Sequence, residues 1–162
     1  MKIKYLLLLT VNGAILALDQ VTKLLIHTRF QLGESVSVIQ DFFDITYVRN
    51  QGAAFGIFAQ FPASFREPFF TIVPLFAIFV ILMIVRKTPD SDRLNLLALS
   101  LICAGAIGNF IDRWQYKFVI DFLDFHYKEV YHFPAFNVAD SAIVVGVGIM
   151  LLLILKQKNE AR

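Results

Sequence analysis

Long apolar runs separated by short polar segments set the pattern of this chain. A helix that crosses a bilayer needs about 20 mainly apolar residues. Four stretches qualify, at about 5–26, 68–85, 94–111 and 138–155. Each predicts a membrane-spanning helix. The first opens with Lys2 and Lys4 before Tyr5-Leu6-Leu7-Leu8-Leu9, in the manner of a secretory signal. Ala14-Ile15-Leu16-Ala17 has the wrong spacing for a cleavage site, and the apolar run continues past a signal-peptide core, so the segment reads as an uncleaved helix. Pro68 suits the first turn of the second span, where a missing N–H costs little. Pro74 predicts a kink in it.

The polar segments carry their own patterns. Gly33-Glu34-Ser35 signals a turn. Phe43-Asp44-Ile45-Thr46-Tyr47 alternates apolar and polar with period two, which predicts a strand covered on one face. Val36 and Val38 around Ser37 predict its partner. After Asn50-Gln51-Gly52 comes Ala53-Ala54-Phe55-Gly56-Ile57-Phe58, too short to span; it reads as an interfacial segment that ends at Pro62. The loop from Arg86 to Arg93 is short and polar, so spans two and three are antiparallel neighbours. Ser100, Ala104 and Gly108, four residues apart, form a small-residue stripe that permits close helix packing in lipid.

Composition supports lipid as the solvent. The chain is 57% hydrophobic and 17% charged, with 17 Phe; soluble domains lie near 45–50% apolar and about 25% charged. The 162 residues read as one membrane-embedded domain, 1–162. A net charge of +2 does not point to nucleic acid. The lone Cys103, within an apolar run, reads as a small core residue. Lys2, Lys4, Arg86, Lys87, Arg93, Lys156, Lys158 and Arg162 fall on one side of a four-span topology. That asymmetry predicts both termini in the cytoplasm and the two longer loops at the outer face.

The unusual polar residues gather at that outer face. Asp19 and Lys23 are spaced i, i+4 near the end of span one, as an interfacial ion pair or as part of a watery site. Asn109, Asp112 and Arg113 share one turn of span three, and Asn137, Asp140 and Ser141 repeat the spacing on span four. Asp121 and Asp124 lie in the connecting loop. Asn137 also suits a helix N-cap with Asp140 at N3 of a capping box. His27, His126 and His132 lack close metal-ligand spacing, and neither a G-x-S-x-G element nor a phosphate-cradling glycine loop is present.

Carboxylate chemistry remains. Two aspartates held close cannot both ionise easily, so they share a proton. One then serves as base to a water while the other hydrogen-bonds a scissile carbonyl. The pattern alone leaves the pair open among Asp112, Asp121, Asp124 and Asp140. The rival reading is a small proton-coupled membrane carrier, which predicts ionisable groups at mid-span and internal symmetry. Here the charges cluster at one interface instead.

Five blocks then carry a resemblance over essentially the whole chain. They are Asp19-Gln20-Val21-Thr22-Lys23, residues 49–56 (RNQGAAFG), residues 105–113 (GAIGNFIDR), Val119-Ile120-Asp121-Phe122 and Phe136-Asn137-Val138-Ala139-Asp140-Ser141. In these the chain resembles the bacterial lipoprotein signal peptidases, the type II signal peptidases of the membrane aspartic proteases. The resemblance implies an all-α integral membrane fold of four transmembrane helices. A small extramembrane β-sheet cradle from about 30–60 and a short interfacial helix fall between helices one and two. It implies that Asp121 and Asp140 are a catalytic dyad. It implies that Asp19, Lys23, Asn50, Gly52, Asn109, Arg113 and Asn137 shape or support the site. The apolar run after Gly52 adds the expectation that Phe55, Ile57 and Phe58 cover the site as a lid. The resemblance implies no metal and no cofactor. The substrate is a prolipoprotein cut just before a cysteine already carrying diacylglycerol. The implied setting is the bacterial inner membrane, with the site at the periplasmic face and the enzyme acting as a monomer among membrane lipids.

Overall fold

Exposed apolar side chains ring the bundle: Leu9, Ile72, Phe76, Val144 and Leu152 are each more than 60% accessible. Such a surface is stable only against lipid. The computed structural model describes residues 2–52, 57–58, 60–128 and 130–160. Among these, four helices are long and apolar enough to cross a membrane: α1 (Ile3–Arg29), α2 (Ala63–Lys87), α3 (Arg93–Tyr116) and α4 (Val138–Glu160). All four expected spans are present, each longer than its apolar run. The second differs in one respect. Pro62, not Pro68, stands at its N-cap, so Pro68 and Pro74 both lie inside the helix. Each ring withholds the N–H that the carbonyl four residues back would receive.

Helix α3 is the hub, packed against α1, α2 and α4. Its small residues explain why. A Cβ on Gly105 would collide with the Ala139 carbonyl oxygen, and one on Gly108 would come within 2.6 Å of Asp19 Oδ2. Backbones approach this closely only where no side chain intervenes. Ser100 and Ala104 of the same stripe are fully buried, as packing residues. At the far end of the bundle Lys4 Nζ donates to the carbonyls of Arg86 and Thr88, at 2.9 Å each. The start of α1 thereby caps the end of α2 and fixes which helix ends lie side by side.

The other end carries a four-stranded antiparallel sheet, β1 (Ser35–Ile39), β2 (Phe43–Asn50), β3 (Val119–Tyr127) and β4 (Tyr131–His132), in sequential order. The expected hairpin of β1 and β2 is there. The sheet is larger than the 30–60 loop, however: half its strands come from the α3–α4 connection, so Asp121 and Asp124 lie on a strand and not in a loop. The reason is burial. Val119 to Phe122 are all covered, which removes the alternation that marks a half-exposed strand. β3 pairs with β2 from Asn50↔Val119 to Phe43↔Phe125, with an irregularity between Ile45 and Val48. Ile26, Tyr47, Ile120 and Phe122 form the core that seats the sheet on the helix ends. Residues 53–56, on which most of the expected interfacial helix falls, lie outside the described residues.

Candidate active site

Two linked clusters occupy the junction of sheet and bundle. The deeper one centres on Lys23, buried on the last turns of α1. Its ammonium reaches Asp19 Oδ2 at 2.9 Å, Asp112 Oδ2 at 3.1 Å and Asn109 Oδ1 at 3.0 Å. Taking charges out of water is costly unless the charged atoms find partners, and here every carboxylate oxygen has at least one. Asp19 Oδ1 accepts the Ala139 N–H at 2.9 Å, and Asp112 Oδ2 accepts that of Ile120 at 3.0 Å. Gln20 bridges the two carboxylates, at 3.1 Å to each. α1, α3, α4 and β3 are thus tied at one point. The sequence gives Gln20 no role, because a glutamine beside an ion pair announces nothing by spacing.

The second cluster lies against the first. Asp121, 2% exposed on β3, accepts from Asn137 Nδ2 at 2.7 Å and from Asn50 Nδ2 at 3.0 Å. Asp140, on the first turn of α4, accepts from Asn109 Nδ2 at 2.7 Å. The capping box is also real. Asn137 Oδ1 accepts the Asp140 N–H at 2.9 Å, and Asp140 Oδ2 accepts the Asn137 N–H at 3.2 Å. Asn137 Nδ2 further lies 3.2 Å from Asn109 Oδ1. Asn137 and Asn109 therefore link both aspartates to each other and to Lys23. Burial pushes the Asp121 carboxyl up to about 7, reinforced by the Asp140 charge and opposed by Asn50, Asn137 and Lys23.

The approach from β2 is also built. The Gly52 N–H donates to Asn50 Oδ1 at 2.9 Å, which turns the Asn50 amide N–H toward Asp121. Arg113 Nη2 donates to the Gly52 carbonyl at 3.0 Å, and its guanidinium lies 4.9 Å from the Phe70 ring centre. Arg113 thus joins the 50–52 turn, α2 and α3 beside the carboxylates. Phe55 lies outside the described residues. Ile57 and Phe58 are exposed, with Phe58 edge-on to Phe61 and Phe69.

The four candidate aspartates separate clearly. Asp112 belongs to the lysine cluster. Asp124 lies opposite Asp44 in the β2–β3 ladder, 3.7 Å from His132. His126 stacks on His132 and faces Asp44 at 3.3 Å. His27 bonds the Tyr47 hydroxyl at 2.5 Å. Among the described residues no group of three or more His, Cys, Asp or Glu is arranged to hold a metal ion.

These features define a class: a multi-pass membrane protein with buried carboxylates gathered at one end of a four-helix bundle, under a small sheet. A solved structure described as a bacterial membrane enzyme has this fold, at a TM-score of 0.85 and 34% identity over 96% of this chain and 91% of that one. The family model for signal peptidase II matches residues 11–156. The lipoprotein signal peptidase of Syntrophus aciditrophicus is 46% identical over 99% of this chain and all of that one. That of Geobacter sulfurreducens is 49% identical over 89% and 88%. The chain belongs to the signal peptidase II family.

Proposed function

We propose that the chain removes the signal peptide from prolipoproteins by aspartic-protease chemistry at Asp121 and Asp140, acting as one membrane-embedded peptidase domain. The observation that carries the reading is the shared asparagine clamp. Asn137 donates to Asp121 and exchanges two hydrogen bonds with Asp140. The carboxyl of Asp121, raised to about 7, suits a pair that keeps one proton at neutral pH. In the reaction the ionised member takes a proton from water, whose oxygen attacks the scissile carbonyl carbon. The protonated member gives its proton to the carbonyl oxygen. The tetrahedral intermediate then collapses: one hydroxyl returns its proton to the pair as the C=O bond re-forms, the C–N bond breaks, and the amine leaves with the proton first taken from the water. Asn50, Asn109 and Asn137 hold the carboxylates. Lys23 and Asp19 hold the asparagines and the start of α4. Arg113 and Gly52 form the wall beside them.

The substrate is the diacylglyceryl-modified precursor, cut before the lipidated cysteine. Its acyl chains lie in the leaflet where the spans end, which brings the bond to be cut to the level of the pair. Eight of the Lys and Arg residues favour a cytoplasmic position for both termini and a periplasmic site in the inner membrane. The chain acts as a monomer in this reading, because the network from Lys23 through Asn109 and Asn137 to both carboxylates closes on itself. Ile57 and Phe58, both exposed, cover the bound substrate. The test is cleavage by the purified chain of one precursor with and without the diacylglyceryl group. Cleavage of the lipidated form alone supports the reading; equal cleavage of both contradicts the substrate assignment, and cleavage of neither contradicts the activity.

A further inference from the structure

One cation at the site end of the bundle is fixed in place yet lacks a counter-ion among the described residues. Arg49 extends from β2 beside Tyr47. Its Nε donates to the Tyr47 hydroxyl at 2.8 Å. The hydroxyl also shares a hydrogen bond with His27 Nδ1, so it is held from both sides while it accepts from the arginine. The guanidinium carbon lies 4.7 Å from the Phe118 ring centre and 5.4 Å from that of Tyr47. Phe118 stacks on Tyr116, whose ring lies 4.9 Å from that of His27. The arginine therefore rests on an aromatic shelf, with one N–H spent and its Nη edge unspent. No carboxylate among the described residues comes within ion-pair distance of it. Arg113, by contrast, uses its Nη groups on the Gly52 and Asn109 carbonyls.

The location says what the free edge meets. His27 lies two residues before the end of α1, and Tyr116 is the last residue of α3. Aromatic rings at the ends of spanning helices sit at the level of lipid headgroups. The most abundant anion at that depth is the phosphodiester of a phospholipid. A planar guanidinium whose rotation is already arrested by stacking loses little freedom when it takes phosphate oxygens on two N–H groups. We propose that Arg49, on the Tyr47–Phe118–Tyr116 shelf, is a binding site for the phosphate of a phospholipid in the leaflet at the site end of the bundle. The inference does not depend on the peptidase reading.

The full chain, purified in a phosphate-free detergent, is titrated with short-chain phosphatidylglycerol and the retained lipid is counted by native mass spectrometry. Binding should weaken roughly tenfold in Arg49→Gln, the size of loss expected for charge-assisted hydrogen bonds. It should weaken less in Arg49→Lys. Phe118→Leu keeps the charge but loses the shelf, and should also weaken binding; circular dichroism checks that each variant keeps its helices. A diacylglycerol glucoside with the same chains, which has no phosphate, should bind wild type and Arg49→Gln alike. Unchanged phosphatidylglycerol binding in Arg49→Gln overturns the proposal. So does displacement of the lipid by inorganic phosphate at equal concentration, which makes the site one for a free anion. A rise in KM for prolipoprotein with lipid binding intact also overturns it, by assigning Arg49 to the substrate.

Discussion

Asn137 donates its side-chain N–H to Asp121 at 2.7 Å, and the same side chain's oxygen caps α4 by accepting the Asp140 N–H at 2.9 Å. One residue is both a helix cap and the clamp between two carboxylates. Its two roles separate by mutation. Asn137→Ala loses both: the cap costs about 1 kcal/mol, and cleavage should fall about 100-fold or more as the carboxylates lose their common donor. Asn137→Ser keeps a capping oxygen but cannot reach Asp121. It should recover most of the melting temperature and little of the activity. Recovery of both in Asn137→Ser would show that capping is the whole role.

The buried Asp121 carboxyl predicts how stability varies with pH. With its ordinary value of 3.8 raised to about 7, the folded protein holds a proton through that interval that the unfolded chain has released. Stability then falls as pH rises from about 4 to about 7. Asp121→Asn removes the penalty. The variant should melt above wild type at pH 8, and the gap should narrow at pH 5. Cleavage by the pair should decline as pH rises through about 7, where its last proton leaves. A melting gap that does not vary with pH contradicts the shift.

Lys23 is the only cation bonded to Asp19 and Asp112 among the described residues. Lys23→Met leaves two buried carboxylates without it, a loss of about 3–5 kcal/mol. Chemical denaturation of the purified variant reads this directly. The added change Asp19→Asn should recover part of the loss. If the double variant is less stable than Lys23→Met, the cluster is not held by charge pairing.

The α3–α4 contact has no room for a methyl group at Gly105, where a Cβ would overlap the Ala139 carbonyl oxygen and sit 2.6 Å from Ile143. Gly105→Ala should push the first turn of α4, and Asp140 with it, away from Asn109. The expected cost is about 1–3 kcal/mol in stability, with cleavage reduced at least tenfold through misplacement. A Cβ added to Gly148 would meet nothing within 4 Å, so Gly148→Ala should cleave like wild type and melt at or above it, since alanine favours a helix interior over glycine. Equal behaviour of the two alanine variants would contradict the close-approach argument.

The spans, the β1–β2 hairpin and the capping box can be read from residue spacing, because each is a local pattern with one period. The Asp19–Lys23 pair is legible for the same reason. Strand β3 is not. Its first residues are covered on both faces, so Val119-Ile120-Asp121-Phe122 shows no alternation, and its pairing partner β2 lies far back along the chain. The choice between Asp112 and Asp121 also escapes local reading. Each is an aspartate beside apolar residues, and only the fold shows that Lys23 and the Ile120 N–H engage the first, while asparagines bond the second. Gln20 and Arg49 lie inside recognisable blocks, yet their roles depend on partners from other elements that no spacing along α1 or β2 reveals.

Whether Asp121 and Asp140 act together on the scissile bond is read from kcat/KM for a diacylglyceryl-modified prolipoprotein. Wild type is compared with Asp121→Asn, Asp140→Asn and the double variant, each checked for retained helicity. If the two carboxylates work as one unit, either single change should abolish cleavage as fully as the double change. Substantial activity in either folded single variant would mean that the two aspartates are not a catalytic pair.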